Sequence, residues 1–304
     1  MMLRKVAVTA AIVIAGAALL AASHTALAEG AEAVNQLLLC AGGNELFVVD
    51  AQAAESGVVK KLWTWSGATA AGLTDADRPR FRSLDECRAV ADGRKILITA
   101  SNSGCALVSY PAGEIIWQAS VTNAHSIELL PNERVVVASS LSGDALVVFD
   151  LATSHTPLAR TPLRSAHGVI WDASRERLWA LGFDELRTYR LENWETAKPS
   201  LTLDETFPLP DDDGHDLRAV PHGNDLALTT AKSVLLFDRA TKKFRKHPQV
   251  PQLEHVKSID VHPATGRIVV GQWDNQLSLL EPTGAISFSE NRPYKVRWFA
   301  GAAP

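Results

Sequence analysis

The stretch AHSIELLPNERVVVASSLSGDALVVFD (Ala124–Asp150) decides the fold. It holds three short runs rich in Val, Leu and Ile, separated by Pro-Asn-Glu and by Ser-Gly-Asp. Runs of this length bounded by turn residues, without a 3.6-residue apolar period, read as consecutive β-strands a, b and c. The same order returns in AHGVIWDASRERLWALGFDELRTYRL (Ala166–Leu191), GHDLRAVPHGNDLALTTAKSVLLFD (Gly214–Asp238) and VKSIDVHPATGRIVVGQWDNQLSLLE (Val256–Glu281). A weaker copy is DECRAVADGRKILITASNSGCALVSY (Asp85–Tyr110). A fourth strand, d, follows each copy, for example at Glu114–Ser120 and Ala285–Phe288.

Aligned copies start at Glu86, His125, His167, His215 and Lys257, with spacings of 39, 42, 48 and 42 residues. That period fits four-stranded propeller blades. Near the N-terminus, Gln36–Cys40, Glu45–Val49 and Val58–Trp65 supply strands b, c and d of a blade that lacks strand a. YKVRWF (Tyr294–Phe299) supplies it, with Lys295 aligned to the repeat starts. The expected fold is therefore an all-β, six-bladed β-propeller of four-stranded blades, closed by a C-terminal strand that completes the first blade. Closure removes the sheet edges that an open array would expose. The longest insertion, SGATAAGLTDADRPRFRSL (Ser66–Leu84), joins strand d of the first blade to strand a of the second, and a loop of this length commonly carries function.

Outside the repeats, Arg4 and Lys5, an apolar run over Val6–Ala22 and the small-residue triplet Ala26-Leu27-Ala28 make a secretory signal at 1–28. Its removal leaves a single domain at 29–304, 276 residues long, and moves the net charge from −4 to −6, because two basic and no acidic residues are lost. The mature protein is expected in the periplasm or outside the cell, without membrane attachment and as a monomer. Its acidic balance argues against a nucleic-acid backbone as the main partner. Cys40, Cys87 and Cys105 all fall in strand-like runs and read as buried free thiols.

The aligned column of Glu86, His125, His167, His215, Lys257 and Lys295 is ionisable throughout, although the positions two and four further on are mostly apolar. Strand a of a propeller lies next to the axis, so the column should ring the mouth of the central channel. Arg88 and Arg297 lie two residues deeper. The b–c turns on that face offer Asn102, Ser139, Asp184, Trp273 and Asp274, and the insertion adds Arg80, Arg82 and Asp85. Glu86, His125, His167 and His215 make a candidate ligand set for a divalent metal (Mn, Zn, Fe, Cu or Ni), with Glu128 and Asp216 as acceptors that fix the imidazole tautomers. Alternatively, the histidines brace neighbouring blades, as a histidine does in WD40 repeats. Here His125 and His215 lie six residues before Pro131 and Pro221, inside strand a, and the strand c ends lack a Trp-Asp pair. His222 and His262 fall in a–b turns, on the opposite face.

The phrases HSIELLP, HGVIWD, GHDL and VKSI resemble those of an exported bacterial family of six-bladed propellers with no assigned function. The three-histidine column is also similar in kind to the site of oligogalacturonate lyases, seven-bladed propellers whose histidines hold manganese near the channel mouth and whose base is an arginine. No lyase motif matches residue by residue, but the groups of the column suit a metal-dependent lyase or hydrolase acting on an anionic carbohydrate, with Lys257, Lys295, Arg88 or Arg297 as the base. The alternative is a propeller that binds a small anionic ligand, such as an acidic saccharide, without chemistry, or that presents its loops to a protein partner.

Overall fold

Each apolar run forms a strand, and the strands assemble in chain order into six antiparallel sheets of four. The computed structural model describes residues 36–152, 155–250, 253–290 and 292–303. The leader expected at 1–28 lies outside the described residues. Residues from Asn35 onward form one compact unit.

Blade 1 contains Leu37–Gly42, Glu45–Asp50 and Lys61–Ser66, and Lys295–Trp298 pairs antiparallel with Leu37–Gly42 as its inner strand. The C-terminal strand thus closes the ring, as the sequence implies. The other inner strands are Leu84–Val90 (blade 2), Ala124–Leu130 (blade 3), Gly168–Asp172 (blade 4), Asp216–Ala219 (blade 5) and Ser258–Val261 (blade 6). Each packs against the next around the axis.

The apolar core is divided into six clusters, one between each pair of adjacent blades. This follows from strand alternation: one face of each sheet packs on the preceding blade and the other on the following blade, so both must be apolar. Cys87, Ile127, Val169, Leu217, Ile259 and Val296 stand at one equivalent position of the six inner strands, and all are buried. Full burial of side chains like these stabilises by about 1.5–3 kcal/mol each. The seam between blades 6 and 1 holds Leu38, Phe47 and Val296 against Val269, Leu277 and Ile286. It also carries an element that the repeat pattern does not announce, a short helix at Ala51–Glu55 capped by Asp50, whose carboxylate accepts from Ala53 N at 3.0 Å. Glu55 at its end pairs with Arg267 of blade 6 at 2.6 Å, clamping the seam.

The insertion before blade 2 is folded. A 3-10 turn at Arg78–Phe81 buries Phe81 edge-on to Trp65. Two glycines permit this close packing. A Cβ on Gly67 would lie 2.4 Å from the Phe81 Cβ, and one on Gly104 would lie 2.7 Å from the Arg80 carbonyl oxygen. The three cysteines are free and buried, with burial raising the Cys105 thiol to about 12. No helix among the described residues is long and apolar enough to cross a membrane.

Candidate functional site at the channel mouth

The backbone register shows which residues share the mouth. In four blades, the residue just before the inner strand donates its N–H to the same carbonyl of the neighbouring strand. These bonds are His167 to Leu181 (2.9 Å), His215 to Thr229 (2.8 Å), Lys257 to Gly271 (2.8 Å) and Tyr294 to Ala41 (2.7 Å). In blades 2 and 3 the ladder slips by one residue, between Leu84 and Cys87 and between Ala124 and Ser126, which puts Asp85 and His125 at the equivalent place. The mouth ring is therefore Asp85, His125, His167, His215, Lys257 and Tyr294. This corrects the sequence alignment at two blades. Glu86 and Lys295 stand one residue deeper, opposite strand partners Thr99 and Ala41. Thr99 and Thr229 mark the true register, because their hydroxyls accept from Glu86 N (3.1 Å) and Asp216 N (3.0 Å) respectively.

That one-residue difference separates two environments. The side chains one and three residues below the ring face the axis. They include Arg88, Arg218, Lys295 and Arg297, matched by Glu86, Glu128, Asp216 and Asp260. The Arg297 guanidinium bridges Glu86 (2.9 and 3.1 Å) and Asp216 (2.8 Å through each nitrogen). The Lys295 ammonium lies 3.3 Å from Asp216 and 3.5 Å from Glu86, and donates to the backbone carbonyls of His125 (3.1 Å) and His167 (3.3 Å). Arg88 pairs with Glu128 at 2.5 Å, and Arg218 with Asp260 at 2.9 Å. Burial pushes the Glu86 carboxyl up, but Arg297, Lys295 and Arg88 outweigh it and hold it down at about 2. Asp216 is held low in the same way. Of the expected bases, Arg88, Arg297 and Lys295 belong to this interior, and Lys257 alone of the four lines the mouth.

The ring itself is nearly free of such pairing. The His125 and His167 imidazoles lie 4.3 Å apart between centroids, and His167 and His215 lie 5.2 Å apart. Nδ1 of His125 faces the Asn123 carbonyl at 3.1 Å and Nδ1 of His167 faces the Ser165 carbonyl at 2.9 Å. A carbonyl only accepts, so the network assigns the proton to Nδ1 in both rings. His215 Nε2 lies 2.5 Å from the Lys257 ammonium and 3.2 Å from Asp213, while its buried Nδ1 has no partner. Burial lowers His125 and His215 to about 4, reinforced by Lys295 and Lys257, and burial with the neighbouring imidazoles holds His167 well below the usual histidine range, so all three are neutral at pH 7. Glu86, offered by the sequence as the fourth metal ligand, points instead into the axial ion pairs. Among the described residues no group of three or more His, Cys, Asp or Glu side chains converges as metal ligands do.

Above the ring lies a cavity of about 400 Å³, lined by Asp85, His125, Lys257 and Tyr294 together with Gly43, Ser83, Leu84, Ser101, Trp273 and Arg292. Burial raises the Asp85 carboxyl to about 7, against the lowering effect of a 2.5 Å hydrogen bond from Ser101 and of Lys295. The carboxyl therefore carries a proton for much of the time near neutrality. Burial lowers Lys257, partly offset by Asp213, and raises Tyr294. Trp273 is 51% exposed at the rim and meets the Tyr294 ring edge-on at 5.5 Å. Its φ is +61°, a left-handed conformation that a bulky side chain adopts only at a cost of roughly 1–2 kcal/mol. Tyr294, Ser101 and Arg292 were not prominent in the sequence, because none of them falls in the aligned ionisable column. Asn102, Ser139, Asp184 and Asp274 do not line this cavity. His222 and His262 line a separate pocket formed by the a–b turns of blades 5 and 6, with His247.

No curated protein matches the chain. A family model described as a family of unknown function, DUF6528, matches residues 7–300 and so spans every blade. This chain, a closed six-bladed propeller, belongs to the DUF6528 family.

Proposed function

We propose that the mouth cavity binds a small anionic ligand, with an acidic saccharide as the class that fits best. The observation that carries this reading is Trp273, half exposed beside the cavity and in a left-handed backbone conformation. An exposed indole offers a flat apolar face for a sugar ring, and it stands beside the cations of Lys257 and Arg292. Around them, Ser101 and neutral imidazole supply hydrogen-bonding groups without adding negative charge, and Asp85 does the same below about pH 7. The deeper cations are neutralised by their own carboxylates, so Lys257 and Arg292 provide the attraction for an anion.

Titration calorimetry with galacturonate and glucuronate tests this reading. Binding is expected for both acids, with Trp273→Ala and Lys257→Ala each weakening it by about tenfold or more, equivalent to about 1.4 kcal/mol. Melting temperatures of both variants should stay near that of the unmodified protein. Equal binding of galactose, or unchanged affinity in both variants, would refute it. A second reading, proton transfer at a bound acid, is favoured by Asp85 and Lys257 lining the same cavity. It requires an unsaturated or hydrolysed product in mass spectra after incubation with oligogalacturonate, lost in Lys257→Ala.

A further inference from the structure

A second cavity, of about 650 Å³, opens beside the mouth and is lined by Gly43, Asn44, Ala68, Asp75, Arg78, Pro79, Phe81 and Arg82. Gly43 lines both cavities, and Arg82 of the second is followed directly by Ser83 of the first. Gly43 has a φ of +56° and an outward side on which an added Cβ would meet nothing within 4 Å, so the passage over it is low. The insertion between blades 1 and 2 forms the outer wall, fixed by the buried Phe81.

Its arginines are used differently. Arg78 donates to the Ala68 carbonyl at 2.7 Å, and Arg80 pairs with Asp77 at 2.9 Å, so both hold the wall together. Arg82 is exposed and, among the described residues, has no ion-pair partner. A cation with no carboxylate or carbonyl partner among the described residues is available to an anion from outside.

We infer that the two cavities are consecutive subsites for a chain of acidic sugar units, the mouth taking one unit and Arg82 engaging the carboxylate of the next. This rests on the acidic-saccharide reading of the mouth and extends it from a single acid to an oligomer. Charge-assisted contact between a guanidinium and a carboxylate supplies the added affinity and also sets the requirement for acid units in series.

The test is calorimetry of the intact protein with galacturonate, digalacturonate and trigalacturonate, repeated with Arg82→Ala. The expected result is a gain of about tenfold in affinity from one unit to two or three, the size of one charge-assisted contact. Arg82→Ala should abolish that gain and leave galacturonate binding and the melting temperature unchanged. Galacturonate binding with no gain on lengthening would overturn the oligomer inference alone. A length gain that survives Arg82→Ala would also overturn it. Absence of binding at every length would overturn this inference together with the reading of the mouth.

Discussion

The mouth ring and the axial interior lie on the same six strands, one residue apart, yet their charged groups have opposite fates. Below the ring, Arg88, Arg218, Lys295 and Arg297 meet Glu86, Glu128, Asp216 and Asp260, and ion pairs fill the axis. In the ring, His125, His167 and His215 share a small space as neutral imidazoles, Asp85 titrates near 7 and Lys257 is left at the cavity. Ionisable character alone therefore does not mark a binding site. Groups that satisfy one another hold the ring of blades together, whereas groups left without full compensation are available to a ligand.

The most severe way to break this comparison is Arg297→Ala, which strands Glu86 and Asp216 without their main cation in a closed interior. Loss of one partner from a buried pair costs about 3–5 kcal/mol, and a melting-temperature drop of roughly 6–20 °C is expected for a domain of this size. Replacing Glu86, Asp216, Lys295 and Arg297 together by apolar residues of similar volume should cost less than the single change. A single change that lowers the melting temperature by only a degree or two would show that the axis is not the paired interior described here.

A second prediction concerns acid. His125 and His215 titrate at about 4 in the folded protein and near 6.5 when unfolded. The unfolded chain therefore binds more protons between these values, and stability must fall as pH drops from 6.5 to 4. For His125 the full effect is about 3 kcal/mol, reached below pH 4. Asp85, at about 7 when folded, and Glu128, which burial also raises, work in the opposite direction, but they are two groups against three imidazoles. Melting curves from pH 7 to pH 4 should show this loss, reduced in His125→Asn. A flat profile would mean that the imidazoles are not held neutral.

The smallest effect belongs to Asp85. An anionic ligand should bind a few-fold more weakly as pH rises through 7 and this carboxyl gains its charge. Asp85→Asn should remove that dependence in calorimetry at pH 6 and pH 8. Persistence of the slope in Asp85→Asn would assign it to another group.

How legible this was in the sequence differs by level. The repeat, the blade count and the closing strand YKVRWF follow from alternation and spacing, and the sheets match them. His125, His167, His215 and Lys257 were recognisable as one ring because each stands two residues before a buried apolar residue, Ile127, Val169, Leu217 or Ile259. Asp85 and Tyr294 were displaced by Glu86 and Lys295, since a search for ionisable residues prefers Lys295 to Tyr294 and cannot see the ladder slip before Cys87. The helix at Ala51–Glu55 was hidden inside a c–d connection because five residues carry too little periodicity to register.

The sequence by itself determined the all-β architecture, the six blades and the face on which the ionisable column gathers. Those depend on hydrophobic periodicity and turn residues, which are local properties of the chain. Only the tertiary structure decided which charges are paired and which are available. Glu86 and Arg297 are 211 residues apart in sequence and 2.9 Å apart in space. Compensation of a buried charge depends on that distance and on the exclusion of water, and neither is written in any single repeat.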